Sequence, residues 1–129
     1  MNDKPSPKTG LARIWAALFY SLHGLRFSIY HVVAFQQEVC LFVVLLIVLY
    51  FLPISIVFKC ILLFANTTVL IAELLNSAIE SIVDMTSPDY HVLAKQAKDL
   101  GSAAVLISLL LAIVLWGSAI YFMLNRGSG

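Results

Sequence analysis

Between Val39 and Phe58 the chain runs for about twenty residues without a charged side chain, the length a helix needs to cross a hydrocarbon core of about 30 Å. Two further apolar runs follow, Ile61 to Val83 and Gly101 to Leu124. Composition closes off a soluble alternative. The chain is 61% hydrophobic and 12% charged, with a mean hydropathy of +0.96. Soluble domains carry about 45–50% apolar and about 25% charged residues. The expectation is an all-α membrane protein with three transmembrane helices at about 39–58, 61–83 and 101–124. Pro53 is tolerable near the end of the first, and Lys59 marks the turn to the second.

Residues 1–10 (MNDKPSPKTG) are polar, with no apolar core and cleavage site of the secretory kind behind them, and read as a disordered tail. Residues 11–36 are amphipathic: Leu11, Ile14, Trp15, Leu18, Leu22, Leu25 and Ile29 recur at steps of three and four. Arg13, Tyr20, Ser21, His23 and Arg26 are interleaved with them, the pattern of a helix lying in the headgroup plane. Residues 37–129 then form the three-span domain, with a polar loop from Asp84 to Asp99 containing Pro88, and a frayed end at Gly127-Ser128-Gly129. Cys40 and Cys60 fall at opposite ends of the first span, about 30 Å apart, too far for a disulfide.

Lys4, Lys8, Arg13 and Arg26 precede the first span and Lys95 and Lys98 lie between the second and third, against Lys59 and Arg126 on the other side. The positive-inside rule then puts the N-terminus and the second loop in the cytoplasm. A net charge of +1 gives no reason to expect nucleic-acid binding.

The second span differs from its neighbours. Glu73, Asn76 and Glu80 stand at i, i+3 and i+7, with Asp84 at i+11, so all four share one helical face. Each carboxylate inside a span costs about 2.5–3.5 kcal/mol on insertion scales, so the stripe faces protein or a hydrated pocket and marks a functional site. Interhelical glue alone is a cheaper job for single Asn or Ser residues. Glu73 lies about 10 Å deeper than Glu80. Desolvation at that depth suits Glu73 to a general base, while the shallower Glu80 can stay ionised and hold a divalent cation.

Lys98 begins the third span within reach of anything bound beside Glu80, where it can neutralise phosphate or simply snorkel at the membrane edge. Gly101, Ser102, Ala103 and Ala104 are small enough for close helix approach. Tyr90-His91 in the loop is a weak signal for a nucleotide base. No P-loop, protein-kinase signature or H-E-x-x-H motif is present, so any phosphoryl chemistry uses an unrelated scaffold.

Two long motifs carry a resemblance. Glu73-Leu-Leu-Asn-Ser-Ala-Ile-Glu80-Ser-Ile-Val-Asp84 and Ala97-Lys-Asp-Leu-Gly-Ser-Ala-Ala-Val105, with Gly24-Leu25-Arg26 and Ala34-Phe35-x-x-Glu38, are similar to the bacterial integral-membrane diacylglycerol kinases and their undecaprenol kinase relatives. The likeness covers the chain from about Gly10. It implies a homotrimer in the bacterial inner membrane, Mg-ATP as donor and a lipid alcohol, most simply diacylglycerol, as acceptor. It implies Glu73 as catalytic base, also touching the lipid, with Asn76 and Asp84 in support. Glu80 corresponds to one of two metal-holding glutamates. Arg13, Tyr20, Glu80, Tyr90, His91, Lys98 and Asp99 fall at nucleotide positions; Arg13, Ser21, Arg26, Glu38 and Ser102 fall at lipid-side or supporting positions.

One departure stands out. The second metal-holding glutamate of the family corresponds to Val32 here. Valine cannot bind Mg²⁺, and the adjacent His31 offers nitrogen to a cation that wants oxygen. Competing readings are therefore an undecaprenol kinase, a catalytically weakened member retained to bind lipid or nucleotide, and a small transporter using membrane carboxylates. The last fits poorly, since its acids would be reachable from both sides.

Overall fold

The computed structural model describes residues 9–87 and 89–125; the tail residues 1–8, Pro88, and Arg126 with the terminal Gly-Ser-Gly lie outside the described residues. The described chain is helical throughout, in the order α1 (Leu11–His31), α2 (Val33–Phe51), α3 (Ile56–Thr86) and α4 (Val92–Asn125). The last three are long and apolar enough to cross a membrane. They run up, down and up, so the start of α2, the end of α3 and the start of α4 meet at one end of the bundle. That end carries the α1–α2 break and the α3–α4 connection.

Several boundaries differ from the sequence expectation. The first spanning helix stops at Phe51, and Pro53 stands in the turn rather than in the helix. Proline lacks a donor and holds the residue before it extended, here Leu52 at φ −66, ψ 129. Ser55 then caps α3 by accepting from the Phe58 amide at 3.4 Å. Lys59 is therefore not the turn: it lies in α3 and reaches back to donate to the Tyr50 carbonyl at 3.1 Å, answering an open group at the end of α2. Cys60 likewise belongs to α3 and Cys40 to α2, and both are free.

At the other end the helix expected over 11–36 breaks at Val32, whose backbone is extended at φ −109, ψ 103. Gln36 spans the break by donating to the Ile29 carbonyl at 2.9 Å. The loop expected over 84–99 shrinks to the few residues between Thr86 and Val92. Polar residues on a helix that projects beyond an apolar bundle read as loop when hydropathy alone is followed.

The core lies between α3 and α4. Leu49, Leu62 and Ala119 form one buried cluster, and Ala65, Val69 and Ala112 a second. A polar clasp joins the same two helices: Trp116 Nε1 donates to Asn66 Oδ1 at 2.9 Å, with Asn66 only 4% exposed. Trp116→Phe keeps an aromatic side chain, though a smaller one, and removes the N–H that answers that oxygen. It is expected to destabilise the protein by about 1–3 kcal/mol, seen as a lower midpoint of thermal unfolding in detergent. An unchanged midpoint would show that the clasp contributes nothing.

Candidate active site

The polar face of α3 is assembled as its spacing requires. Glu73 is 6% exposed and Asn76 8%, while Glu80 is half-buried and Asp84 exposed, so burial rises steadily away from the α3–α4 connection. Ser77 Oγ donates to Glu73 Oε1 and Asn76 Nδ2 to Glu80 Oε1, each at a long 3.4 Å. Glu38 on α2 lies within electrostatic reach of Glu73.

α4 meets this face at Gly101, which lies directly against Asn76. A Cβ there would overlap Asn76 Oδ1 and crowd the rest of the carboxamide. That oxygen is buried and has no hydrogen-bond partner among the described residues. The absent side chain of Gly101 therefore fixes how closely Asn76, and through it Glu80, sits to α4.

Above the buried part of the stripe a cleft of about 540 Å³ opens between the end of α3, the connection and the start of α4. It gathers Glu80, Asp84, Tyr90, His91, Lys98, Asp99 and Ser102. Lys98 Nζ meets Asp84 Oδ1 at 2.8 Å across the cleft, and Lys95 meets Asp99 at 2.6 Å along α4. The Lys98–Asp84 pair is solvated, at 39% and 67% side-chain exposure. Such pairs are worth about 0–1 kcal/mol, so Lys98 is placed but free to turn to another anion. His91 Nδ1 accepts from the Leu93 amide at 3.2 Å, which caps the start of α4 at the edge of the cleft.

Other residues singled out from the sequence lie elsewhere. Arg13, Tyr20 and Arg26 are exposed on α1, and Arg26 stacks over the Tyr30 ring at 5.8 Å instead of entering the cleft. Ser21 lines a second cleft of about 520 Å³ between α1 and α3, whose walls also include Val32, Ser77 and Ser81. Glu38 stands at a narrower apolar groove among α2, α3 and α4. Ser102 lines the same cleft as Lys98 and Asp99. Sequence reasoning passed over Ser77 as the partner of Glu73, although its i+4 spacing was legible. Nothing in the pattern pairs Gly101 with Asn76.

The resulting geometry is a buried carboxylate below a charged cleft, at one end of three helices long and apolar enough to cross a membrane. The family model for prokaryotic diacylglycerol kinase matches residues 19–120. The diacylglycerol kinase of Pseudomonas aeruginosa is 43% identical over 117 residues, covering 88% of this chain and 95% of that protein. The diacylglycerol kinase of Escherichia coli (strain K12) is 39% identical over 108 residues, covering 84% and 88%. That of Helicobacter pylori (strain 26695) is 36% identical over 115 residues, covering 89% and 90%. The chain belongs to the prokaryotic diacylglycerol kinase family, and is a membrane lipid kinase.

Proposed function

We propose that the chain transfers the γ-phosphoryl group of ATP to the hydroxyl of diacylglycerol, giving phosphatidate. The observation that carries this reading is the placement of Glu73 two helical turns below Glu80, with Glu80 opening on the cleft that holds Lys98. Glu73 takes the hydroxyl proton from a lipid entering laterally. Lys98 releases Asp84 and neutralises phosphate, while Tyr90, His91 and Asp99 border the nucleotide. Arg13, Tyr20 and Arg26 lie on α1 outside that cleft and meet the substrates at the membrane surface, and three protomers assembled around the cleft shield both substrates. The N-terminus and the cleft face the cytoplasm, where ATP is found, across the bacterial inner membrane.

Among the described residues no three His, Cys, Asp or Glu side chains gather into a cage for a metal ion. The oxygen donors of Glu80 and Asp84 nonetheless suit Mg²⁺, which commonly binds through one or two carboxylates plus substrate phosphates. Glu80 would hold it, and when bound it would offset the charge of the β- and γ-phosphates. The protein's own part is positioning and proton transfer.

Transfer of radiolabel from ATP across a panel of lipid alcohols tests the reading. Labelled phosphatidate is expected; label confined to a polyprenyl phosphate, or no label in any lipid, overturns it. Val32 gives a second handle, because it lines a cleft with Ser77 and Ser81, and Ser81 adjoins Glu80 in the chain. Val32→Glu is expected to lower several-fold the Mg²⁺ concentration giving half-maximal turnover. An unchanged Mg²⁺ titration would show that this chain does without a second carboxylate.

A further inference from the structure

The apolar groove below the catalytic level has one feature that hydrocarbon alone does not explain. It holds about 260 Å³ and is walled by Leu41, Phe42, Leu45, Val69, Ala112 and Ile113. Glu38 stands at the end nearer the cleft, and Asn66 with Trp116 at the other. Asn66 is 4% exposed, and its oxygen is taken by Trp116 at 2.9 Å. Its Nδ2 has no hydrogen-bond partner among the described residues. A donor buried in hydrocarbon without an acceptor costs free energy that a leucine would not. The asparagine is therefore explained if something that enters the groove brings an acceptor with it.

The dimensions limit what enters. The groove runs along α4 from Leu109 to Trp116, about 10 Å at 1.5 Å per residue. A volume of about 260 Å³ over that length admits one slender strand of a lipid, its glycerol and ester atoms included, and not a helix about 10–12 Å across. Asn66 precedes Glu73 by seven residues, so the two side chains share a face and lie about 10 Å apart along α3. A lipid whose hydroxyl donates to Glu73 reaches that far with a group a few bonds away. Two hydrogen bonds of about 2.7–2.9 Å, joined by the glycerol and ester atoms, cover the interval. The strong acceptor within that reach in a diacylglycerol is an ester carbonyl; in an isoprenoid alcohol there is none.

We propose that Asn66 Nδ2 donates to an ester carbonyl of the bound lipid and so selects acylglycerols over isoprenoid alcohols. The proposal rests on the lipid-kinase reading, with Glu73 at the hydroxyl. Asn66 is on this view a specificity residue: it touches the substrate away from the reacting atoms.

The test uses full-length protein in detergent without ATP, in a Trp15→Phe background so that Trp116 is the sole tryptophan emitter. Titration with a 1,2-diacylglycerol is compared with a 1,2-dialkylglycerol of equal chain length, which keeps the hydroxyl and lacks the carbonyls. The diacyl lipid is expected to bind about tenfold more tightly. Asn66→Val is expected to remove that preference by weakening the diacyl lipid alone. Equal affinities, a preference that survives Asn66→Val, or no change in Trp116 emission with either lipid overturns the proposal. The wild-type comparison decides by itself if the variant fails to fold. A parallel turnover assay separates the two readings. Diacyl preference without phosphorylation counts against the kinase reading, whereas phosphorylation of both lipids with equal affinity counts against Asn66 only.

Discussion

Glu73→Gln is expected to lower turnover by about 10²–10⁴, the usual worth of a positioned general base, while nucleotide binding stays as it was. The separation follows from geometry. Glu73 is buried on α3, outside the cleft that gathers Glu80, Tyr90, His91, Lys98 and Asp99. Glutamine preserves shape and can still meet Ser77 Oγ, which donates to Glu73 Oε1 at 3.4 Å, so the fold has no reason to change. It cannot accept the hydroxyl proton. Equilibrium binding of an ATP analogue and lipid phosphorylation, measured on the same preparation, check both halves. Turnover within a few-fold of wild type would remove Glu73 from the mechanism. A parallel loss of nucleotide binding would show that the buried carboxylate supports the cleft instead.

Gly101→Ala should have the next largest effect, from a single methyl group. The added carbon overlaps Asn76 Oδ1, so either the carboxamide swings away or α4 moves off α3. The first outcome breaks the bond from Asn76 Nδ2 to Glu80. The second opens the main interhelical interface of the protein, where Ala65, Val69 and Ala112 pack. Overpacking of this kind costs about 1–3 kcal/mol, and misplacement of a reacting group by about 1 Å lowers rates by about 10²-fold. Turnover is expected to fall by that order, with a lower unfolding midpoint. Adding Asn76→Ala to Gly101→Ala removes the overlap, so the stability loss should be recovered while activity is not. Wild-type stability and turnover in Gly101→Ala would show that the contact is loose.

Much of this molecule could be read before any coordinates. Charge is too costly in hydrocarbon to be scattered, so uncharged runs announced the spans, and the acids of α3 had to share one face. Where the reading slipped, a local conformational cause had been weighed less than hydropathy. Pro53 ends α2 and Ser55 starts α3, yet both sit inside an unbroken apolar stretch. The break at Val32 has no proline or glycine to announce it. The helical start of α4 carries Lys95, Lys98 and Asp99, which resembled a loop because no apolar stripe runs through it.

The sequence by itself determined which segments enter the membrane, that carboxylates lie in one line at graded depth, and which family the chain resembles. Each of these depends on spacing along a single helix or on the cost of charge in lipid. Tertiary structure alone decided that Asn76 lies against Gly101, that Trp116 clasps Asn66 from 50 residues away, and that Tyr90 and His91 line one cleft with Glu80. Those contacts depend on how one helix is rotated and shifted against another. That choice is made by packing small residues into close approach, and no periodicity within either helix records it.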